Sequence, residues 1–506
     1  MINNIKIMAE EKKDVRVRFA PSPTGELHIG GLRTALTNYL FAKKNNGTFI
    51  LRSEDTDQGR FVDGAAKRQI IDMVWSGITI DEGVVIDDNG DLTEIGEYGP
   101  YIQSKRLDIY KKYVEQLLDE KKAYHCFCTP ERLQEMRQNQ QANKKAPKYD
   151  RHCLHFSEDE VQKRIERGEK YVVRFKIPEG KTAFDDLVYG HIVVENDTLD
   201  DQVIMKSDGF PTYHLAVVID DYLMKISHVF RGAEWIASTP KHILLYQALG
   251  WAEETPIFCH MANILDKSKK KLSKRDGSVS VADFRKEGYS KQAIINFIAL
   301  LGWNPKTEQE IFNMDELIAQ FDTEKMNKAG GVFDRDRLAW ISKEHMKKMS
   351  VDEIYENALP FLQEKEFYKN ASEEQKSEEY IKKLITVEHD RLEKFTDIGE
   401  ENQFFFAQEI VCDKELVRWK ENSDAKTQEA LENAKEVLSH IDENDWTREM
   451  LEKKLMEAAG EKRGDFLWPL RVALTGEKRS PSPFDCAWVL GKDETLQRIK
   501  NTLHII

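Results

Sequence analysis

Ala20-Pro21-Ser22-Pro23-Thr24-Gly25-Glu26-Leu27-His28-Ile29-Gly30-Gly31 is the stretch from which the rest of the chain can be read. Before it, Val15-Arg16-Val17-Arg18-Phe19-Ala20 alternates with the period of a strand. After it, Leu32, Leu36, Tyr39 and Leu40 recur with the period of a helix. The segment therefore sits on a strand-to-helix turn. A helix that starts there aims free backbone N–H groups, and the positive end of its dipole, at an anion in the turn. Gly30 and Gly31 let a base or a phosphate come close to the backbone. Far along the chain, Lys271-Leu272-Ser273-Lys274-Arg275 places two lysines and an arginine on a loop around a small polar serine. Together the two stretches point to chemistry on the α-phosphate of ATP.

Working outward, residues 15–105 read as α/β, with Phe49-Ile50-Leu51-Arg52 as a second strand and Ala65-Arg68-Ile71-Val74-Trp75 as a second helix. From Arg106 to Lys206 the character changes. A cysteine cluster, a Lys/Gln-rich stretch from Glu135 to Lys148 and runs such as Tyr171-Val172-Val173-Arg174-Phe175 look like an insertion between two halves of a nucleotide-binding fold. Over 203–258 the α/β pattern returns, with Val203-Ile204-Met205 and Val217-Val218-Ile219 read as strands. Beyond Met346 nearly everything is helix, with Glu/Lys pairs and apolar residues three or four apart. Ser480-Pro481-Ser482-Pro483 breaks that pattern near the end. The expected fold class is α/β. A Rossmann-type nucleotide-binding domain in two halves (15–105 and 207–258) encloses an α+β insertion (106–206). A region carrying the lysine loop (259–345) and an α-helical region (346–506) follow.

The chain has 506 residues, too many for one core. Its 75 Lys and Arg stand against 89 Asp and Glu, a net charge of −14. Taken alone this argues against a nucleic-acid partner, but the local field matters more than the sum. Lys267 to Arg275 is the densest basic run. A solvated loop is the ordinary reading of such a run; the motif upstream favours a functional one. No apolar run approaches the roughly 20 residues of a membrane helix. The opening Met1-Ile2-Asn3-Asn4-Ile5-Lys6-Ile7-Met8 is too short and polar for a signal peptide, and Met8 is an alternative start. Six cysteines, three clustered and three scattered, fit a reduced, cytoplasmic setting better than a disulfide framework.

With these residues in view the chain resembles the bacterial glutamyl-tRNA synthetases, from about Val15 to the C-terminus. The first segment is similar to the HIGH signature of class I aminoacyl-tRNA synthetases and the second to their KMSKS loop. Supporting stretches are Arg52-Ser53-Glu54-Asp55-Thr56-Asp57, Ser207 to His214, Phe230-Arg231-Gly232-Ala233-Glu234-Trp235, Phe333-Asp334 with Trp340, and Pro469 to Gly476. Gly31 replaces the second histidine of the general signature, a swap common in this branch. The resemblance implies a class I catalytic domain, an insertion that approaches the acceptor end, a stem-contact domain over 259–345 and an anticodon-binding region over 346–506.

The resemblance also implies roles. His28, Lys271 and Lys274 act on the phosphates as catalytic residues. Gly30, Gly31, Ser273 and Arg275 join them around ATP, which brings Mg²⁺. Arg18, Ala20, Ser22, Glu54, Tyr213 and Arg231 hold the amino acid: Arg18 and Arg231 its side-chain carboxylate, Glu54 its ammonium group. A guanidinium can take a carboxylate in a bidentate pair. An arginine beside a strand is otherwise a surface residue, and Tyr213 is equally readable as a core tyrosine. The reading of His28 as a mere helix cap sits poorly with the glycine pair after it. Val217 stands where some relatives place an asparagine, so that contact is not expected.

Cys126-Phe127-Cys128, then Cys153-Leu154-His155, can give three thiolates and one imidazole, a closed tetrahedral zinc set. The arrangement resembles the zinc site of some bacterial glutamyl enzymes. Buried free cysteines are the alternative, and His125 and His152 are neighbouring substitutes. In the helical region Arg391, Trp419 and Arg471, with Trp340 just before it, are candidates for RNA contact. Glu388 stands near the place where strictly discriminating relatives put an arginine that reads the last anticodon base. The expected activity is ATP-dependent ligation of L-glutamate to tRNA-Glu through a glutamyl-adenylate, by a monomeric enzyme with no membrane association. The rivals are a glutaminyl or non-discriminating enzyme and a catalytically silent RNA-binding protein.

Overall fold

A computed structural model describes residues 14–272 and 279–506. Ser273, Lys274 and Arg275 lie outside the described residues. The chain divides into two compact units. The first runs to Phe284 and takes up Ile294–Arg335; the second consists of Arg285–Ala293 and Asp336–Ile506.

In the first unit the opening turn does what its sequence dictates. Strand β1 (Arg16–Phe19) leads through the Pro-Ser-Pro turn into helix α1 (Ile29–Lys44), which crosses to β2 (Thr48–Leu51). β1 and β2 are parallel, with Arg18 opposite Ile50. Helix α2 (Ala65–Trp75) carries the chain to β3 (Glu82–Ile86), parallel to β2, and β4 (Leu92–Ile95) turns back antiparallel. After helix α3 (Leu107–Asp119) comes a separate antiparallel sheet of β5 (Ala123–Cys126), β6 (Val172–Phe175) and β9 (Val203–Met205). Helices α4 (Pro130–Ala142) and α5 (Glu158–Glu166) lie between β5 and β6 in sequence. The hairpin of β7 (Lys181–Asp186) and β8 (Gly190–Glu195) leaves this sheet. It joins the parallel strands β10 (His228–Gly232) and β11 (Ile257–Met261), through Asp186 opposite Phe258. Part of the 106–206 segment thus supplies strands to the second parallel sheet.

Helix α6 (Tyr213–Leu223) precedes β10, and α7 (Thr239–Ala248) connects β10 to β11. The Val217-Val218-Ile219 strand expected from sequence is the middle of α6. Leu215 to Ile219 are apolar and all buried, so the run has no polar face and its period carries no signal. Just before β10, the Ser227 backbone N–H donates to the Arg16 carbonyl at 2.9 Å, so β10 runs beside β1. From this pair one set of parallel strands extends to β2 and the other to β11. A crevice at the carboxyl ends of strands opens where the strand order diverges in this way.

The second unit is almost wholly helical around one core that includes Ile354, Leu384, Phe405, Leu431, Leu470 and Val472. Trp419 and Trp468, both half-buried, bring their rings to 5.1 Å, whereas Trp340 is 40% exposed with the Arg337 guanidinium over its ring. Glu388 ends the helix Glu378–Glu388 pointing inward. It accepts hydrogen bonds from Gly399 N at 2.9 Å and Asn402 Nδ2 at 2.6 Å. A side chain used in this way holds a loop and is not presented to a base; Arg391, in the turn that follows, is exposed.

Burial pushes the Glu388 carboxyl up to about 7, with the Asn402 and Gly399 bonds only partly opposing it. Between the ordinary carboxylate value and about 7 the folded protein binds the extra proton, so stability falls as pH rises through that window. Glu388→Gln should remove the dependence. The stability of wild type relative to this variant should drop by about 3 kcal/mol from pH 4.5 to pH 8. Urea denaturation at the two pH values measures it.

Candidate functional site

An open pocket of about 660 Å³ lies at the carboxyl ends of β1 and β10. Arg18, Ala20, Ser22, His28, Gly30, Gly31, Glu54, Tyr213, Arg231 and Lys271 all line it, brought together from five separate stretches of sequence. Its upper wall is the start of α1. His28 caps this helix, its Nδ1 accepting the Gly30 N–H at 3.1 Å. The expectation that His28 is no helix cap is therefore corrected. Because Nδ1 is an acceptor here, the neutral ring carries its proton on Nε2, which makes that nitrogen a donor for an anion. Gly25 in the turn has φ of 146°, a conformation side chains rarely adopt. A Cβ on Gly31 would sit 3.0 Å from Leu27 Cδ1, so a side chain there would need Leu27 to give way by a few tenths of an ångström.

Beneath the turn lies a buried network of charge. Arg18 Nε donates to Asp221 Oδ1 at 3.0 Å, and Arg52 Nη1 donates to the same oxygen at 2.7 Å. Arg52 Nη2 donates to Glu54 Oε1 at 3.0 Å. Arg106 Nε donates to Asp220 Oδ1 at 2.7 Å, where Gln103 and Tyr110 add further bonds. Burial acts to raise the Asp221 carboxyl, but Arg18 and Arg52 overcome it and hold it below its ordinary value. Burial dominates at Glu54, whose carboxyl is raised despite Arg52 and Arg18.

Arg231, at the end of β10, is only 5% exposed and differs from the others. Its Nε donates to His260 Nε2 at 3.0 Å and its Nη2 to Thr239 Oγ1 at 2.6 Å. Nη1 lies 3.0 Å from His242 Nδ1 and 3.4 Å from the Tyr213 hydroxyl. Among the described residues no carboxylate oxygen is within 4.0 Å of this guanidinium. Burial accordingly lowers its affinity for the proton. A buried cation whose partners are all neutral is a site for an anion.

At the other end of the pocket Lys271 pairs with Glu234 at 3.0 Å, both partly exposed. Sequence reasoning missed Glu234, Trp235 (its ring 4.3 Å from that of Tyr213), Asn263 and Arg33, all of which line the pocket. It also missed Asp220 and Asp221 beneath. The available signal for these was two acids directly after a long apolar run.

Away from the pocket, Cys126, Cys128 and Cys153 place their sulfurs within 4.8 Å of one another. His155, expected as the fourth member, is exposed and outside this group. The Tyr149 hydroxyl stands there instead, 3.3 Å from both Cys126 Sγ and Cys128 Sγ, and accepts the Cys153 N–H at 3.1 Å. The hydrogen bond from Cys153 pulls the Cys126 thiol down to about 4 and raises the Cys153 thiol. Three clustered soft sulfur donors, one ready to ionise, fit a zinc ion.

Known proteins resemble this chain along nearly its whole length. A family profile described as "tRNA synthetases class I (E and Q), catalytic domain" matches residues 14–340, and one described as "Anticodon binding domain" matches 353–503. The chain is 45% identical over 497 residues to a "Glutamate--tRNA ligase" of Clostridioides difficile, covering 96% of this chain and 98% of that one. It is 44% identical over 507 residues to one of Chloroherpeton thalassium, covering 97% and 98%. Among solved structures, a glutamate tRNA ligase from Elizabethkingia meningosepticum, in complex with its amino acid, superposes with a TM-score of 0.85. It is 37% identical, and the match covers 97% of this chain and 99% of that one.

Proposed function

The chain belongs to the glutamate--tRNA ligases, the glutamate arm of the class I (E and Q) tRNA synthetases, and we propose on that premise how its pocket works. The activity is ATP-dependent ligation of L-glutamate to tRNA-Glu through a glutamyl-adenylate, with release of pyrophosphate and AMP. In our reading the buried Arg231 carries the assignment of the amino-acid end, because its partners are all neutral and the glutamate side chain supplies the missing negative charge. Arg18, anchored by Asp221, completes the cradle. Glutamine would leave the guanidinium unpaired, a cost of about 2–5 kcal/mol. Glu54 takes the ammonium group, with Tyr213, Ser22 and Ala20 around the rest of the amino acid.

ATP would lie along the start of α1, and the Mg²⁺ it brings would supply further positive charge at its phosphates. A glutamate α-carboxylate oxygen attacks the α-phosphorus, and the bond from that phosphorus to the pyrophosphate oxygen breaks. His28 donates from Nε2 to the phosphates as charge builds there. Gly30 and Gly31 give the nucleotide its space and Lys271 offers its ammonium charge from the pocket wall, with Ser273, Lys274 and Arg275 assigned to ATP by the resemblance. The carboxylate is already a nucleophile, so the acceleration comes from positioning and fixed charge. The terminal adenosine 2′-hydroxyl of bound tRNA then attacks the glutamyl carbonyl carbon and AMP leaves. Residues 106–206 approach the acceptor end, 259–345 the stem, and 346–506 the anticodon, the last in keeping with the match over 353–503.

Cys126, Cys128 and Cys153 would hold a structural Zn²⁺ that ties β5 to the Tyr149–Cys153 loop. The six free cysteines support a reducing compartment such as the cytoplasm. No helix among the described residues is long and apolar enough to cross a membrane.

Aminoacylation with ATP, Mg²⁺ and labelled amino acid should place glutamate on tRNA-Glu and leave glutamine uncharged. Lys274→Ala should lose tRNA-dependent pyrophosphate exchange while keeping tRNA binding. Charging with glutamine, or wild-type exchange by Lys274→Ala, would contradict this reading. Metal analysis should find about one zinc per chain, retained in His155→Ala and lost in Cys128→Ala; loss in His155→Ala would restore the histidine as ligand.

A further inference from the structure

The histidines around Arg231 are the buried titratable groups that this chemistry does not use. An arginine N–H can only donate, so each ring nitrogen facing it must be bare. His260 receives the Arg231 Nε–H on Nε2, and its proton is therefore on Nδ1, which lies 2.6 Å from Asp186 Oδ2. Asp186 has no freedom to move. Its Oδ2 also accepts the His260 backbone N–H at 3.1 Å, and its Oδ1 accepts the N–H groups of Val188 and Tyr189 at 3.0 and 2.9 Å. His242 receives Arg231 on Nδ1, so its proton is on Nε2, 3.0 Å from His214 Nδ1. Burial and the nearby Arg231 keep both rings below the ordinary histidine value and hence neutral.

We infer that Asp186 and His260 are positioning residues for glutamate selection: the carboxylate fixes the His260 tautomer, and the bare Nε2 fixes the Arg231 guanidinium without neutralising it. The nearest carboxylate to Arg231 in this direction is thus placed one ring away. A carboxylate in direct contact would hold the arginine equally well and cancel the charge that distinguishes glutamate from glutamine. A neutral imidazole of fixed tautomer holds it and leaves the charge for the substrate. The inference rests on the proposed binding of the glutamate side chain to Arg231.

Asp186→Asn reverses the tautomer, because the asparagine amide can donate to Nδ1 and drive the proton to Nε2, against the Arg231 Nε–H. The expected result is a rise of roughly 10- to 100-fold in the KM for glutamate, with the KM for ATP changed less than about threefold. In His260→Gln the side-chain amide can turn its oxygen to Arg231 whatever occupies position 186. Adding Asp186→Asn to that variant should therefore cost less than about threefold more. An equal penalty in both backgrounds, or equal changes in the KM for glutamate and ATP, would overturn the inference. If Asp186→Asn does not fold, His260→Gln against His260→Phe carries the test: the glutamine variant should stay near wild type and the phenylalanine variant should lose glutamate binding. Equal values would overturn it. Arg231→Lys, run alongside, separates the two levels. An unchanged KM for glutamate there would remove the reading of the pocket and the inference with it. A raised KM there, with no effect of Asp186→Asn, would remove the inference alone.

Discussion

Three buried arginines and three buried carboxylates hold the pocket together. Arg18 on β1, Arg52 just past β2 and Arg106 before α3 meet Glu54, Asp220 and Asp221, the last two on α6. The elements come from both halves of the nucleotide fold, more than 160 residues apart in the case of Arg52 and Asp221. Removing one partner from such a set leaves an uncompensated buried charge, at about 3–5 kcal/mol. Because the six charges match one another, none is left over to serve Arg231. The positive charge of the pocket floor is thus a consequence of how its neighbours are paired.

On the proposed reading, that floor and the start of α1 are two anion sites of different kinds in one pocket. At the floor the cation is a rigid guanidinium, nearly closed off from water, and the low local dielectric strengthens discrimination between a carboxylate and an amide. At the helix start the positive field is spread over backbone N–H groups, the His28 donor and the partly exposed Lys271. A triphosphate changes its charge distribution during reaction, and a broad field suits it better than a single deep partner. On the proposed reading the division places selection at the buried end and chemistry at the open end.

The sequence carried the turn, the crossover helix and the paired strand because each has its own period: alternation before Pro21, a helical stripe after Ile29. The described residues proposed for ATP and the amino acid share one pocket because they cluster at strand ends and the helix start, where motif and turn signals coincide. The α6 helix was not legible. Its apolar run has no polar face, and a buried helix and a buried strand look alike when both sides are covered. Asp220 and Asp221 were lost with it. His155 was expected from ligand spacing and from the resemblance, while the Tyr149 hydroxyl reaches the thiols through a fold-back that spacing does not encode. The histidine cage around Arg231 joins β7, β10, β11 and α7, a neighbourhood set by strand order, which no local pattern reports.

The most direct test of the account is a crystal structure of the enzyme with a non-hydrolysable glutamyl-adenylate analogue. The account predicts the glutamyl side-chain carboxylate in hydrogen-bond contact with both Arg18 and Arg231, and the adenylate phosphate against the start of α1 beside His28. A side-chain carboxylate bound elsewhere, with Arg231 still enclosed by its neutral partners alone, would contradict it.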